Sequence, residues 1–153
     1  MKKCLCLILI LTILCSTTAC NFQPEYMKVV SSLGHYTEKI FYESDGWQDF
    51  TYFGIFRFNT VDMTENTYFS PITAADIDRI NDFLDDYESW IQVERQNDPG
   101  HELVVNYAFD RSLIDTADYF YIDLKYPDKP TYNYDIYFLD IQTNTLYFFH
   151  SNI

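Results

Sequence analysis

The stretch TAADIDRINDFLDDYESWIQVERQNDPG, residues 73–100, decides the fold class. Ile77, Ile80, Phe83, Leu84, Tyr87 and Ile91 recur at three- and four-residue intervals and make one apolar stripe. That is the pattern of a helix laying one face on a core. Asp78, Asp82, Asp85, Asp86 and Glu88 fall outside the stripe and give the helix a strongly acidic outer side. At its start, Thr73 and Asp76 have the spacing of a capping box, with the acid near the positive end of the helix. Asn97-Asp98-Pro99-Gly100 stops the run.

The flanking sequence supplies strands for this helix to pack on. Residues 38–44 and 47–58 read as a hairpin around Asp45-Gly46, a dipeptide that accepts the positive φ angles of a tight turn. Its second strand alternates, with Phe50, Tyr52, Phe56 and Phe58 on one face and Thr51, Phe53, Ile55 and Arg57 on the other. Further strands are expected at 102–109, 118–126, 133–141 and 145–150. In 118–126, Phe120, Ile122, Leu124 and Tyr126 oppose Tyr119, Tyr121, Asp123 and Lys125. Pro127 and Pro130 bracket a loop, and Gln142-Thr143-Asn144 closes the last pair, with Asn144 suited to a left-handed conformation. A short helix from Pro24 carries Tyr26, Val29, Val30 and Leu33 at helical spacing before Gly34 ends it. The expected fold is α+β, an antiparallel sheet of about six strands with one long amphipathic helix packed on a face and one apolar face per strand. With 13 Phe, 14 Tyr and 2 Trp in 153 residues, disorder is excluded, and only 4 Gly argue against a Gly-rich repeat.

The amino terminus, MKKCLCLILILTILCSTTAC, is of another kind. Lys2 and Lys3 give a positive start, Cys4 to Cys15 form an apolar run broken only by Thr12, and Ser16 to Ala19 are small. The run is too short to span a bilayer, which needs roughly 17–25 residues. Ala19-Cys20 at its end resembles the lipobox of bacterial lipoprotein precursors, although Thr17 stands where that family usually has an aliphatic residue. The resemblance covers residues 1–20 only. It implies a cleaved signal peptide at 1–19, a diacylglycerol on the Cys20 thiol, and often a further acyl chain such as palmitate on the new amino terminus. One chain anchors marginally and two anchor stably. Cleavage at the same bond by the ordinary secretory peptidase would instead release a soluble protein; cysteine at that one position favours the lipid form. Residues 20–153 then form a single globular domain, exported and held at the cell membrane or outer membrane, facing away from the cytoplasm. With Cys4, Cys6 and Cys15 removed and Cys20 lipidated, neither a disulfide nor a thiolate metal site is available. The short distance from Cys20 to Pro24 keeps the domain close to the membrane.

Loss of Lys2 and Lys3 leaves 8 basic against 23 acidic side chains, a formal charge of −15. The remaining Arg and Lys residues are scattered, which argues against nucleic acid. No phosphate loop, dinucleotide fingerprint, nucleophile elbow or His-Glu-x-x-His motif occurs. His35, His101 and His150 show no zinc spacing, and no cofactor or metal is expected. Asp82, Asp85 and Asp86 read as a solvated helix face, and Glu43, Asp45 and Asp49 have no fixed separation from which to argue a hydrolytic acid pair.

Contact residues for a ligand are therefore sought among aromatics and acids. Trp47, beside the first turn, has the chemistry to stack on a sugar or anchor in a partner's pocket, and equally to pair across the hairpin. Tyr119 and Tyr121 oppose the apolar row, so they are solvated if one sheet face is covered and core if both are. Asp82 and Asp86 would serve an acidic recognition face. The leading expectation is a non-catalytic, lipid-anchored binding module for protein or glycan. The alternatives are an acidic inhibitor or immunity-type lipoprotein that blocks a basic partner, and a small hydrolase.

Overall fold

The computed structural model describes residues 24–44, 50–129 and 133–152. Cys20 with the whole of 1–19, Asp45, Gly46, Trp47, Asp49 and Pro130 lie outside the described residues. In chain order the elements are α1 (Glu25–Ser31), β1 (Tyr36–Glu43), β2 (Phe50–Phe58), β3 (Ser70–Pro71), α2 (Ala74–Asn97), α3 (Glu102–Asn106), β4 (Tyr119–Leu124), β5 (Asn133–Asp140) and β6 (Thr145–Asn152), with a 3₁₀ turn at Arg111–Leu113. The six strands form one sheet in the order β1-β2-β6-β5-β4-β3, every neighbouring pair antiparallel. No helix among the described residues is long and apolar enough to cross a membrane.

The long helix forms for the reasons read in the sequence. Asp76 Oδ2 accepts from the Thr73 backbone N–H at 2.9 Å and from its hydroxyl at 2.5 Å, closing the capping box. Those hydrogen bonds, the hydroxyl's first, hold the Asp76 carboxyl below its ordinary range. Ile80, Phe83, Leu84, Tyr87 and Ile91 are buried, each contributing about 1.5–3 kcal/mol of transfer free energy. They lie on Phe53 of β2, Phe120 of β4, Tyr134, Ile136 and Phe138 of β5, and Phe149 of β6.

The expected strand at 102–109 is instead α3 followed by irregular chain. His101 Nδ1 accepts from the Leu103 N–H at 3.2 Å and caps a short helix. Leu103 and Val104 are both buried while Val105 is 64% exposed, so burial does not alternate. The β-branched Val104-Val105 pair suggests a strand, and packing against α2 overrides that propensity. The sheet still has six members because Ser70–Pro71 pairs with β4 through Ser70↔Phe120 and Pro71↔Tyr119. A strand of two residues leaves no periodicity to read.

The second departure is that both sheet faces are covered. Val29, Val30 and Leu33 of the α1 segment, together with Phe69, bury against Phe56, Phe58, Tyr137, Leu139, Leu146 and Phe148. Every residue of β5 from Tyr134 to Asp140 is buried. Tyr119 and Tyr121 are half-buried members of this second core rather than solvated residues. Gly54 makes room in it, since a Cβ there would stand 3.0 Å from the Phe56 ring and 3.1 Å from the Phe41 ring. Tyr26 of α1 then stacks on both Phe41 and Phe148, at 5.4 and 5.0 Å between centroids.

Two cores predict two sensitive faces. Phe83→Ala and Phe148→Ala should each lower stability by about 3–5 kcal/mol, whereas exposed Asp82→Ala should change it by no more than ~0.5 kcal/mol. Urea unfolding measures all three, and a Phe148→Ala cost no larger than that of Asp82→Ala would refute the second core.

Candidate functional site

The strand register places Tyr52, His150, Asp135 and Asp123 in one row across β2, β6, β5 and β4. Directly opposed residues of an antiparallel sheet share a face, so these side chains stand together on the α1 side. The next row on that face is Gly54, Phe148, Tyr137 and Tyr121. A polar line thus borders an aromatic one, close to where β4 and β6 end and β5 begins.

Asp135 and His150 are the centre of the row. Their relative exposures are 4% and 8%, and Asp135 Oδ1 lies 2.5 Å from His150 Nδ1. The other carboxylate oxygen accepts from the Tyr137 hydroxyl at 3.3 Å and lies 3.8 Å from Lys125 Nζ. Lys125, just past the end of β4, also reaches Asp123 at 2.5 Å and Glu25 of α1 at 3.3 Å. Burial draws the Lys125 pKa down, but the hydrogen bond to Asp123 and the charges of Asp135 and Asp123 outweigh it and the net shift is upward. Burial first, and then the Asp135 charge, drive the Tyr137 phenol up. Lys125 is therefore charged, and Tyr137 a protonated donor, at neutral pH.

His150 has further unusual features. Its ring stacks with Phe50 and Tyr52 at 5.0 and 4.9 Å between centroids. Its Nε2 is buried and has no hydrogen-bond partner among the described residues. An unmet buried polar atom costs about 1–3 kcal/mol, and a desolvated polar pair rarely improves on an apolar pair of the same shape. Both histidine and carboxylate line a cleft of about 150 Å³. Tyr26, Tyr52 and Phe148 form its aromatic wall, and Glu25 and Lys125 complete its rim. Burial raises the pKa of Tyr52 and of Tyr26, with the Glu43 charge next in each case, so both phenols stay protonated.

Of the residues expected from sequence, Trp47 lies outside the described residues, and the others lie away from the cleft, most with structural partners. Arg111 spans Asp85 at 2.6 Å and Glu88 at 2.8 Å, and Glu88 also accepts from the Tyr107 hydroxyl at 2.7 Å. Asp86 accepts from the Tyr134 hydroxyl at 2.8 Å, which fastens α2 to β5. Asp78 and Asp82 are the exposed carboxylates left on that side. Tyr121 stacks on Tyr137 at 5.5 Å, and Tyr119 packs in the same core. His35 is exposed beside Tyr36, and His101 caps α3. Among the described residues no group of three or more His, Cys, Asp or Glu side chains is placed to hold a metal ion. Asp135, Lys125 and Glu25 were not singled out by sequence. The signal of Asp135 is a charge on the inward face of an aromatic strand, visible only when the pairing is known, and Lys125 and Glu25 join it only through the docking of α1.

A double-mutant cycle tests the pair. Asp135→Leu and His150→Phe should each cost about 3–5 kcal/mol by leaving buried polar groups without a partner, the Tyr137 hydroxyl included in the first, while the double variant should cost clearly less than the two together. Additive costs in urea unfolding would show that the two side chains are not coupled. No protein-family model, curated protein or solved structure matches this chain.

Proposed function

We propose that the protein is an exported lipoprotein, tethered through lipid on Cys20, whose single domain is a non-catalytic binding module with the cleft over Asp135 and His150 as its ligand site. The observation that carries the binding reading is the buried Asp–His pair in the wall of an aromatic cleft. A fold held by two aromatic cores has no need of that pair for stability, and a few convergent polar groups in a largely aromatic concavity are the usual mark of a site. A binding role is favoured over catalysis because, among the described residues, no Ser, Thr or Cys lines the cleft to serve the dyad as a nucleophile. The alternative of an acidic blocking face draws less from the fold, since Asp85, Asp86 and Glu88 are engaged by Arg111, Tyr134 and Tyr107.

The anchoring part rests on the stretch MKKCLCLILILTILCSTTAC. Glu25, in the rim of the cleft, is five residues beyond Cys20, at most about 18 Å of extended chain. The ligand site would therefore work within a short distance of the membrane surface. Cys20→Ser should abolish incorporation of labelled fatty acid and move the product from the membrane to the soluble fraction. Unlabelled wild-type protein in the medium would refute the anchor.

A further inference from the structure

We propose that the outer edge of β4 receives the free carboxyl terminus of an extended polypeptide, which pairs with Ile122 and Leu124 and sets its carboxylate on Arg79. This site is additional to the cleft over Asp135 and His150 and shares no lining residue with it.

The sheet edge supplies the pairing. β4 pairs with β5 along its whole length, Tyr119 to Leu124, but β3 accompanies it only at Tyr119 and Phe120. Two bonds fix which way the backbone groups point. The Ile72 N–H donates to the Asp118 carbonyl at 2.9 Å, on the β3 side, and the Lys125 N–H donates to the Asn133 carbonyl at 3.0 Å, on the β5 side. Even-numbered residues of β4 therefore turn their N–H and C=O groups outward, and those of Ile122 and Leu124 have no backbone partner among the described residues. Open donors and acceptors on a strand edge are what an added strand pairs with. Charge often closes such an edge, yet Asp123 and Lys125 point to the α1 face and bond each other at 2.5 Å.

The cleft beside this edge supplies the charge. It has a volume of about 260 Å³ and is lined by Tyr68, Ser70, Arg79, Phe120, Tyr121 and Ile122. No carboxylate is among them, in a chain with 23 acidic side chains. Arg79 is exposed and forms no salt bridge among the described residues, whereas Arg57 and Arg111 both do. Asp76, which feels the Arg79 charge, is already bonded to Thr73 at 2.9 and 2.5 Å. An open guanidinium in a cleft without acids selects a carboxylate.

The end of the groove decides which carboxylate. Ser70 occupies the place opposite Phe120, so a strand lying against Leu124 and Ile122 can extend no further in that direction. Running antiparallel to β4, as β3 does, it brings its carboxyl end to Ser70 and Arg79. Running parallel, it would bring an ammonium to the guanidinium. Arg79 thus selects the antiparallel direction, and the block at Ser70 selects a chain terminus over an internal segment.

The test uses the full chain in detergent with ¹⁵N-labelled isoleucine and leucine. The probes are acetyl-Thr-Val-Thr-Val with a free carboxylate, the same peptide closed as an amide, and acetate. The free acid should shift the backbone amide resonances of Ile122 and Leu124 saturably and leave those of Leu103 and Leu146 in place. Closing the carboxylate should weaken binding about tenfold, the factor that one charge-assisted hydrogen bond supplies. Arg79→Gln, at an exposed position on α2, should lower the affinity of the acid to that of the amide and leave the amide unchanged. Equal affinity for acid and amide in the wild-type protein would overturn the proposal. A response to acetate equal to that of the peptide would also overturn it, leaving an anion pocket without strand pairing. Shifts of the same two amides with protein concentration alone would give the edge to a second copy of the chain instead. No saturable shift at Ile122 and Leu124 with either peptide would refute the edge as a docking site, whatever becomes of the cleft over Asp135 and His150.

Discussion

The reversal between β5 and β6 is the constraint on which the rest of the molecule depends. Asp140 pairs with Thr145, and Ile141–Asn144 turn the chain with Asn144 at φ 51°. The buried Asp140 carboxylate accepts from the backbone N–H groups of Gln142 and Thr143 at 2.9 and 3.1 Å and from the Thr143 hydroxyl at 2.7 Å. Asp118, just before β4, accepts from the Ile141 N–H at 3.1 Å and ties the turn to the neighbouring strand. Fixing this turn fixes the whole central register. Tyr134, Ile136, Phe138 and Phe149 then face α2, while Asp135, Tyr137, Phe148 and His150 face α1. Shifting the pairing by one residue would exchange the faces of a strand that is buried on both sides, which neither core would tolerate.

With both faces closed, the many tyrosines become joints between layers. The Tyr87 hydroxyl on α2 donates to the Tyr52 carbonyl at 2.8 Å, and the Tyr134 hydroxyl on β5 lies 3.2 Å from the Phe83 carbonyl as well as bonding to Asp86. Each such bond is worth only about 0.5–1.5 kcal/mol net, yet leaving a phenol buried without one costs about 1–3 kcal/mol. Their role is therefore to make one docking position of the helix better than its neighbours. Burial raises the pKa of Tyr87 and of Tyr134, so these joints stay protonated donors at neutral pH. Tyrosine serves here where phenylalanine would leave the helix free to slide.

Much of this was legible in the chain, and the limits follow a physical pattern. The apolar stripe from Ile77 to Ile91, the Thr73 and Asp76 cap, and the positive φ of Asn144 are local signals, and each appears in the structure. Val104-Val105 misled because local propensity is weak against packing, and β3 is too short to carry a pattern. The candidate site was missed by one residue. A three-residue loop at Gln142-Thr143-Asn144 would set His150 opposite Ile136, whereas the observed four-residue turn sets it opposite Asp135. Tyr119 and Tyr121 turned on a similar long-range fact, the docking of α1 and Phe69 on the second face.

The cleft also depends on an element that has no stability of its own. A seven-residue helix such as α1 is far shorter than the ~12–15 residues at which isolated helices become even marginal in water. Its order comes from burial of Val29, Val30 and Leu33 and from the Tyr26 ring, which it stacks on Phe41 and Phe148 of the sheet. The Glu25–Lys125 bridge adds little, because Glu25 is largely exposed and such pairs contribute about 0–1 kcal/mol. Tyr26 and Glu25 are nonetheless a wall and a rim of the cleft, so the cleft exists only while α1 is docked. On the proposed anchoring, the same few residues are the first ordered segment after the lipid. A ligand held in the cleft between α1 and the sheet would then stabilise the helix from which the whole domain is suspended, linking occupancy of the cleft to how firmly the domain is seated at the membrane.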